Sequence, residues 1–301
     1  MLTRRSFCAA ATSLGMVAGT VPFSVLAREL QKQLPSRAIP STGETLPIIG
    51  LGNSNAFREG DIETSMQVIG RLAAVGGSYV DCGGPSRMVV AEAAKAINAL
   101  DDLFLGTYFS GADDALARKE AAEMLEVTGK PTLDLMHNYP EDAEPNWDAF
   151  RGWKESGLTR HIGVSRHVKE AYPVMMQLMQ TGDVDILQVN YSLLETEAEE
   201  RILPMAEDLG VAVTVNRPFI NGRYFDVVHG KDLPPWAADF DCESWAQFSL
   251  KFILSHPAVT CVLTETANPK HAVDNLSAGL GRLPDARERA RMQTYFKEIA
   301  S

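Results

Sequence analysis

The chain alternates between short apolar runs and longer amphipathic segments from Ile39 onward. Each apolar run is bounded by glycine, proline or charged residues, as expected of a buried strand. The pattern predicts eight strands: Leu46–Gly52, Ser78–Asp81, Leu103–Gly106, Thr132–His137, His161–Val164, Ile186–Asn190, Val211–Val215 and Val259–Leu263.

The intervening segments carry apolar residues at three- and four-residue steps, which is the period of an α-helix. Examples are ARKEAAEMLEVTG, ETEAEERILPMAEDLG and SWAQFSLKFILSHP, and Leu283–Ala300 is predicted to form a terminal helix. Gly157 and Gly210 follow helical segments, where a left-handed cap is favoured. The segment Phe219–Asp241 is predicted to be a long connection after the seventh strand, of the kind that shapes substrate pockets.

Strands that alternate with helices pair in parallel, because each parallel crossover needs a helix. The pattern therefore predicts an α/β protein with a single-domain (β/α)8 TIM barrel over residues 37–301. The alternative is an open doubly wound sheet, which calls for a G-x-G-x-x-G turn after the first strand. The segment GLGNSNAF lacks that spacing. Asp81 and His137 end two of the runs, at the side of a barrel where active sites lie.

The N-terminus has the pattern of an export signal. Thr3–Phe7 (TRRSF) resembles the twin-arginine motif, and an apolar stretch and small residues suited to cleavage after Ala27 follow it. We therefore expect residues 1–27 to be a removed signal peptide and residues 28–36 to be a linker. This implies the twin-arginine export machinery as a partner, folded export to the periplasm or outside the cell, and no stable membrane anchor.

Composition narrows the class of partner. The chain has 301 residues, is 45% hydrophobic and carries a formal net charge of −11, which argues against nucleic acid or an anionic membrane surface as a partner. Cys8 leaves with the signal. The remaining Cys82, Cys242 and Cys261 are odd in number and match no metal-ligand spacing, so we expect no metal site.

Several blocks, in the same order along the chain, resemble the aldo/keto reductase family. RAIPSTGETLPIIGLGNSNAF resembles its opening hairpin and first strand, and LDLMHNYP its fourth strand with the active-site histidine. RHIGVSRH, LQVNYSLLE and HPAVTCVLTETANPKHAVDNL resemble its fifth, sixth and eighth strands with the cofactor loop. NRPF, residues 216–219, points to an exported subgroup of these reductases.

The resemblance implies hydride transfer from a nicotinamide to a carbonyl, with a tyrosine as acid, a lysine–aspartate pair beside it and a histidine that orients the substrate. Asp81 matches the aspartate and His137 the histidine. Gly84 or Ser86 stands where the tyrosine is expected, and Tyr108 stands where the lysine is expected. The resemblance thus implies an incomplete catalytic tetrad, with Tyr108 as the substitute acid.

The resemblance also implies a set of cofactor contacts at Ser165, Arg166, Gln188, Asn216, Glu265, Thr266, His271 and Asn275. Arg166 departs from the family's asparagine. Glu265 and Asn268 stand where the family often has glycine, lysine or arginine. A carboxylate repels a 2′-phosphate but accepts hydrogen bonds from a free ribose hydroxyl. The loop therefore argues against tight NADP binding and leaves NAD or no dinucleotide.

Two functions follow from these observations. The first is an exported, nicotinamide-dependent oxidoreductase of a small carbonyl or alcohol, with NAD or NADP as cofactor. The alternative is a non-catalytic periplasmic barrel, a degenerate reductase that binds a ligand without turnover. The missing tyrosine and lysine favour the second function, and the export signal and the nearly complete family pattern favour the first.

Overall fold

A computed structural model of the protein describes residues 33–300, so the expected signal peptide lies outside the described residues. The description begins in the expected linker. Leu34 is buried and donates its backbone N–H to Val75, and Ser36 already belongs to a strand. The last residues of the 28–36 segment therefore pack with the domain.

Ten strands of the described residues make up two sheets. β1 (Ser36–Ala38) and β2 (Thr45–Pro47) form an antiparallel hairpin. The other eight strands are parallel and close into a barrel in the order β10-β3-β4-β5-β6-β7-β8-β9. They are β3 (Ile49–Leu51), β4 (Tyr79–Gly83), β5 (Phe104–Tyr108), β6 (Leu133–Asn138), β7 (Thr159–Arg166), β8 (Ile186–Asn190), β9 (Ala212–Asn216) and β10 (Val259–Thr264).

Helices follow the barrel strands and cover the outside. The α-helices of the described residues are Asn55–Arg58, Ile62–Ala74, Ser86–Ala96, Asp114–Thr128, Pro140–Ala143, Trp147–Glu155, Tyr172–Met179, Ile202–Leu209, Arg223–Val228, Trp245–Leu254, Pro269–Ser277 and Ala286–Ala300. Short 3-10 helices lie at Leu100–Asp102, Glu144–Asn146, Lys169–Ala171, Glu197–Glu200, Ile220–Gly222 and Pro235–Phe240. Among residues 33–300, no helix is both long and apolar enough to cross a membrane.

The predicted (β/α)8 TIM barrel is confirmed, and each predicted strand has a counterpart. The first predicted run, Leu46–Gly52, is divided at Ile48 between the hairpin and the barrel. The long connection Phe219–Asp241 is not simply a loop, because it contains one short α-helix and two 3-10 helices. Gly210 has a φ of 68° and caps the helix before it, as its position predicts.

The barrel interior is apolar at the end where the strands begin and polar at the mouth, which is the end where the strands finish. A separate core cluster is formed by Ile39 and Leu46 of the hairpin segment with Tyr79, Phe104, Leu135, Ile186, Ala212, Cys261 and Leu263 of the barrel. The hairpin segment thus closes the end of the barrel where the strands begin. Ionic contacts hold it there, since Glu44 pairs with Arg160 and lies 2.7 Å from Nε2 of the buried His161.

Candidate active site

The polar residues at the mouth follow from the two-residue period of a strand, which places residues i and i+2 on the same face. Starting from the apolar inner cluster, two-residue steps toward the carboxyl ends lead to a second layer and then a third. The second layer contains Asp81, His137, Gln188 and Thr214, and the third contains Tyr108, Ser165, Asn190 and Asn216. The strands therefore bring five of the predicted residues, Asp81, His137, Tyr108, Ser165 and Gln188, into one cluster.

Asp81 and His137 form the floor of this cluster. His137 Nε2 lies 3.0 Å from Asp81 Oδ1, and the two side chains are 0% and 7% accessible. Both ring nitrogens of His137 are buried, and neither has an aligned hydrogen bond among residues 33–300. Buried polar atoms normally have partners, and exceptions mark sites where a ligand or water supplies them. The imidazole is thus suited to meet a ligand atom.

Gln188 connects three strands through its amide. Its Nε2 donates to Asp81 Oδ2 at 3.3 Å and to Tyr108 Oη at 3.0 Å. Its Oε1 accepts from Thr214 Oγ1 at 3.3 Å. The family resemblance did not single out Thr214, although the two-residue step from Ala212 in AVTVN places it in the polar layer.

Tyr108 crosses the mouth from β5 toward β7 and β8. Its hydroxyl donates to Ser165 Oγ at 2.6 Å, and its ring lies on that of His137 with 4.0 Å between centroids. Burial of the hydroxyl and the nearby Asp81 carboxylate raise the pKa of Tyr108 well above its usual value, while the hydrogen bond with Ser165 opposes the shift. The phenol is therefore protonated near neutral pH and is a weak acid.

Arg166 does not join the cluster. It is adjacent to the inward-facing Ser165, so its side chain takes the opposite face of β7. Its guanidinium pairs with Glu141 at 2.7 Å and lies 4.6 Å from the centre of the Tyr139 ring. The predicted contact between Arg166 and a cofactor stays a prediction.

Two adjoining cavities lie among the segments that follow β9 and β10 and share a wall formed by Phe219, Phe225, Glu265 and Thr266, and neither is lined by a residue of the polar layers. The first, of about 350 Å³, is also lined by Arg58 and Arg217. The second, of about 340 Å³, is also lined by the predicted His271 and Asn275 and by Trp245. Both volumes lie in the range of ligand sites.

Glu265 lies between the two cavities and folds back over Gly52. A Cβ on Gly52 would lie only 2.7 Å from Glu265 Cγ, so the glycine leaves the space that this side chain fills. Glu265 Oε2 is 3.8 Å from Arg58 Nη1. Withdrawal of water by the surrounding protein raises the pKa of Glu265, although 41% of its side chain is still accessible, and Arg58 opposes that shift.

Asn216 ends β9 at the start of a strained turn. Arg217, Ile220 and Asn221 all have positive φ values, between 48° and 53°, which residues other than glycine rarely adopt. Such outliers concentrate at binding sites, where the surrounding structure holds them in place. Arg217 and Asn221 line the first cavity, so the strained backbone forms part of its wall.

Asn268 and Thr266 shape the last loop. Asn268 caps the helix Pro269–Ser277, and its backbone N–H donates to Thr266 Oγ1 at 3.0 Å. Asn275 is buried on that helix, and His271 is exposed at its start. The walls of the two cavities combine guanidinium, amide and aromatic groups with the carboxylates of Glu265 and Asp274, so they can bind polar and aromatic groups of a ligand.

A larger cavity lies elsewhere. It measures about 680 Å³ and lies outside the barrel, between the helices Tyr172–Met179 and Ile202–Leu209. Its lining includes none of the predicted site residues, whereas the first two cavities are lined by Glu265, Thr266, His271 and Asn275, so we place the candidate site at the mouth rather than in this groove. Within residues 33–300, no group of three or more His, Cys, Asp or Glu side chains could hold a metal ion.

An eight-stranded parallel barrel with a carboxylate, an imidazole and a phenol at the carboxyl ends of its strands has the site position of the barrel enzymes. A comparison with protein families is more specific. Residues 49–290 match the aldo/keto reductase family. The chain therefore belongs to the aldo/keto reductase family.

Solved structures share the fold. One is an aldo-keto reductase from Bacillus halodurans in its holo form, with a TM-score of 0.71 and 17% identity over 89% of this chain and 97% of that chain. Another is an aldo/keto reductase from Klebsiella pneumoniae in complex with NADP and acetate, with a TM-score of 0.66 and 19% identity over 88% of this chain and 95% of that chain. At these identities the likeness shows the fold alone.

One characterised relative is similar over a shorter segment. The NADH-specific methylglyoxal reductase of Escherichia coli (strain K12) is 27% identical over 116 residues, which covers 35% of this chain. The match spans 33% of that protein, so the chain corresponds to about a third of the relative's length.

Proposed function

We propose that the protein is a nicotinamide-dependent oxidoreductase that transfers a hydride between the cofactor and a small carbonyl or alcohol. The observation that carries this proposal is the convergence of Asp81, His137 and Tyr108 at the barrel mouth of an aldo/keto reductase family member. When bound, the nicotinamide would supply the hydride. The protein itself would orient the carbonyl and provide the proton.

Each residue of the cluster has a role in this proposal. His137 offers a buried ring nitrogen to the carbonyl oxygen and thereby orients it. Asp81 Oδ1, 3.0 Å from His137 Nε2, helps to hold the imidazole in position. Tyr108 donates the proton in place of the expected tyrosine, and its raised pKa makes that donation slow. We therefore expect low turnover from a tetrad that lacks its usual tyrosine and lysine.

Ser165, Gln188 and Asn216 would hold the nicotinamide end of the cofactor, and Thr266, His271 and Asn275 its adenosine end. Glu265 and Asn268 favour NAD over NADP, because a carboxylate beside a 2′-phosphate is repulsive. The relative from Escherichia coli is named as NADH-specific, and the Klebsiella pneumoniae structure holds NADP. A test of cofactor preference therefore compares NADH with NADPH.

We also propose that the protein works in the periplasm or outside the cell, in an exported subgroup of the family. The support is the sequence alone, namely Arg4 and Arg5 in the twin-arginine pattern and the apolar stretch after them. Expression of the full chain, with and without Arg4→Lys and Arg5→Lys, tests this. Retention of the double variant in the cytoplasm is expected, and unchanged export of that variant would contradict the proposal.

One observation favours the alternative, a barrel that binds a ligand without turnover. The Tyr108 hydroxyl is already engaged by Ser165 and Gln188, and its pKa is raised. The test follows NADH and NADPH absorbance with methylglyoxal and other small aldehydes, using Tyr108→Phe as a matched control. Oxidation of either cofactor that Tyr108→Phe abolishes supports the reductase. Cofactor binding without turnover supports the binding barrel.

A further inference from the structure

The side chain of Tyr108 lies over the floor of the site. The His137 side chain has no accessible surface, and the Asp81 side chain keeps 7%. The Tyr108 and His137 rings are 4.0 Å apart between centroids, with 35° between their planes. A ligand that meets the His137 ring nitrogens therefore has to displace the phenol.

The Tyr108 side chain is held over the floor by two hydrogen bonds that a ligand can replace. The Tyr108 hydroxyl donates to Ser165 Oγ at 2.6 Å and accepts from Gln188 Nε2 at 3.0 Å. On the other side, Gly83 makes room for the ring, because a Cβ there would lie 3.2 Å from Tyr108 Cδ2. The ring is thus packed on one face and anchored at its tip by hydrogen bonds across the mouth.

We propose that Tyr108 is a side-chain gate over the Asp81–His137 pair, closed by its hydrogen bonds with Ser165 and Gln188 and opened by a ligand that takes over those two partners. In the closed state the phenol proton is directed at Ser165. Opening frees the hydroxyl for a bound carbonyl, so ligand binding and proton donation are coupled. The coupling to proton donation rests on the proposed function, whereas the gate itself requires only that Asp81 and His137 are groups that a ligand must reach.

Chemical modification of His137 tests the gate without any cofactor. Diethyl pyrocarbonate acylates an accessible imidazole nitrogen, and peptide mass mapping separates the six histidines of the chain. In the wild-type protein, His137 is expected to react far more slowly than the exposed His271. Tyr108→Phe keeps the ring but loses both hydrogen bonds, so the rate at His137 should rise on the order of tenfold. Ser165→Ala removes one bond and should give a smaller rise.

Tyr108→Ala removes the cover, and its His137 rate should approach that of His271. The internal control is His161, which is 1% exposed and lies at the opposite end of the barrel. It should stay protected in every variant. If Tyr108→Ala exposes His161 as well, that variant has lost its packing, and the comparison uses Tyr108→Phe and Ser165→Ala instead.

Two results would overturn the gate. One is wild-type His137 reacting as fast as His271. The other is Tyr108→Phe and Ser165→Ala both leaving the His137 rate unchanged. Because the reagent needs no nicotinamide, the gate can hold even where neither cofactor binds. Failure of both nicotinamide cofactors to bind would count against the proposed function and not against the gate.

Discussion

Gln188→Leu removes the amide that joins Asp81, Tyr108 and Thr214 at the centre of the site. Gln188 is 2% exposed, so solvent cannot replace the three hydrogen bonds that it makes. The two bonds to neutral partners contribute about 1 kcal/mol each, and the bond to the Asp81 carboxylate about 2 kcal/mol. The more apolar leucine recovers about 1 kcal/mol on burial. We expect the free energy of unfolding to fall by about 3 kcal/mol.

Equilibrium urea unfolding of the protein from residue 28 onward, followed by tryptophan fluorescence, measures this change. With a denaturant slope of about 3 kcal/mol per molar, the midpoint should fall by about 1 M. The matched control is Gln180→Leu, an exposed position beside the helix Tyr172–Met179, which should change stability by less than about 0.5 kcal/mol. Equal midpoints for the two variants would refute the hydrogen-bonded bridge at Gln188.

Three further predictions concern the acid, the cofactor and pH. Tyr108→Phe should abolish turnover in the cofactor-absorbance assay without raising the Kd for the cofactor, and residual turnover would exclude Tyr108 as the acid. Glu265→Gln should lower the Kd for NADPH relative to the Kd for NADH by roughly tenfold, because it removes a carboxylate beside a 2′-phosphate. An unchanged ratio of the two Kd values would contradict the role given to Glu265. Arg282 lowers the pKa of Glu288 to about 2, so this carboxyl stabilises the fold above its unfolded pKa and loses that effect as pH falls from about 5 to 2. Glu288→Gln should lower the free energy of unfolding by about 1 kcal/mol near neutral pH, and its urea midpoint should depend less on pH across that acid range. An unchanged dependence of the midpoint on pH would contradict the pairing of Glu288 with Arg282.

The sequence predicts the barrel well because its strands carry their own signal. Buried parallel strands appear as short apolar runs, and the crossover rule leaves few ways to arrange them. The apolar pattern does not show the division of the first run at Ile48. Both of its halves are apolar, since β2 plugs the barrel and β3 lines it.

The family pattern and the two-residue strand period also predict that five side chains meet at the mouth, namely those of Asp81, His137, Tyr108, Ser165 and Gln188. The same period places the Arg166 side chain on the opposite face of β7 from Ser165, where it pairs with Glu141. It could also have found Thr214, two residues beyond the core residue Ala212. Their catalytic and binding roles remain predictions.

Two features of the site depend on contacts that no local pattern carries. Glu265 folds over Gly52 because β10 and β3 are neighbours in the closed barrel, although they lie at opposite ends of the chain. The Tyr108 hydroxyl is bound to Ser165 and Gln188 because its rotamer carries it across the mouth. Sequence places the residue at the end of a strand but does not fix the direction of its side chain.

Titration of the protein from residue 28 onward with NADH and NADPH tests the central claim most directly. Trp245 lines the second cavity, so its fluorescence should be quenched when an adenosine group enters. We predict a Kd in the micromolar range, about −8 kcal/mol of binding free energy, with NADH bound more tightly than NADPH. Absence of quenching by either nucleotide at millimolar concentration, with heat measurements that also show no binding, would contradict a nicotinamide-dependent function.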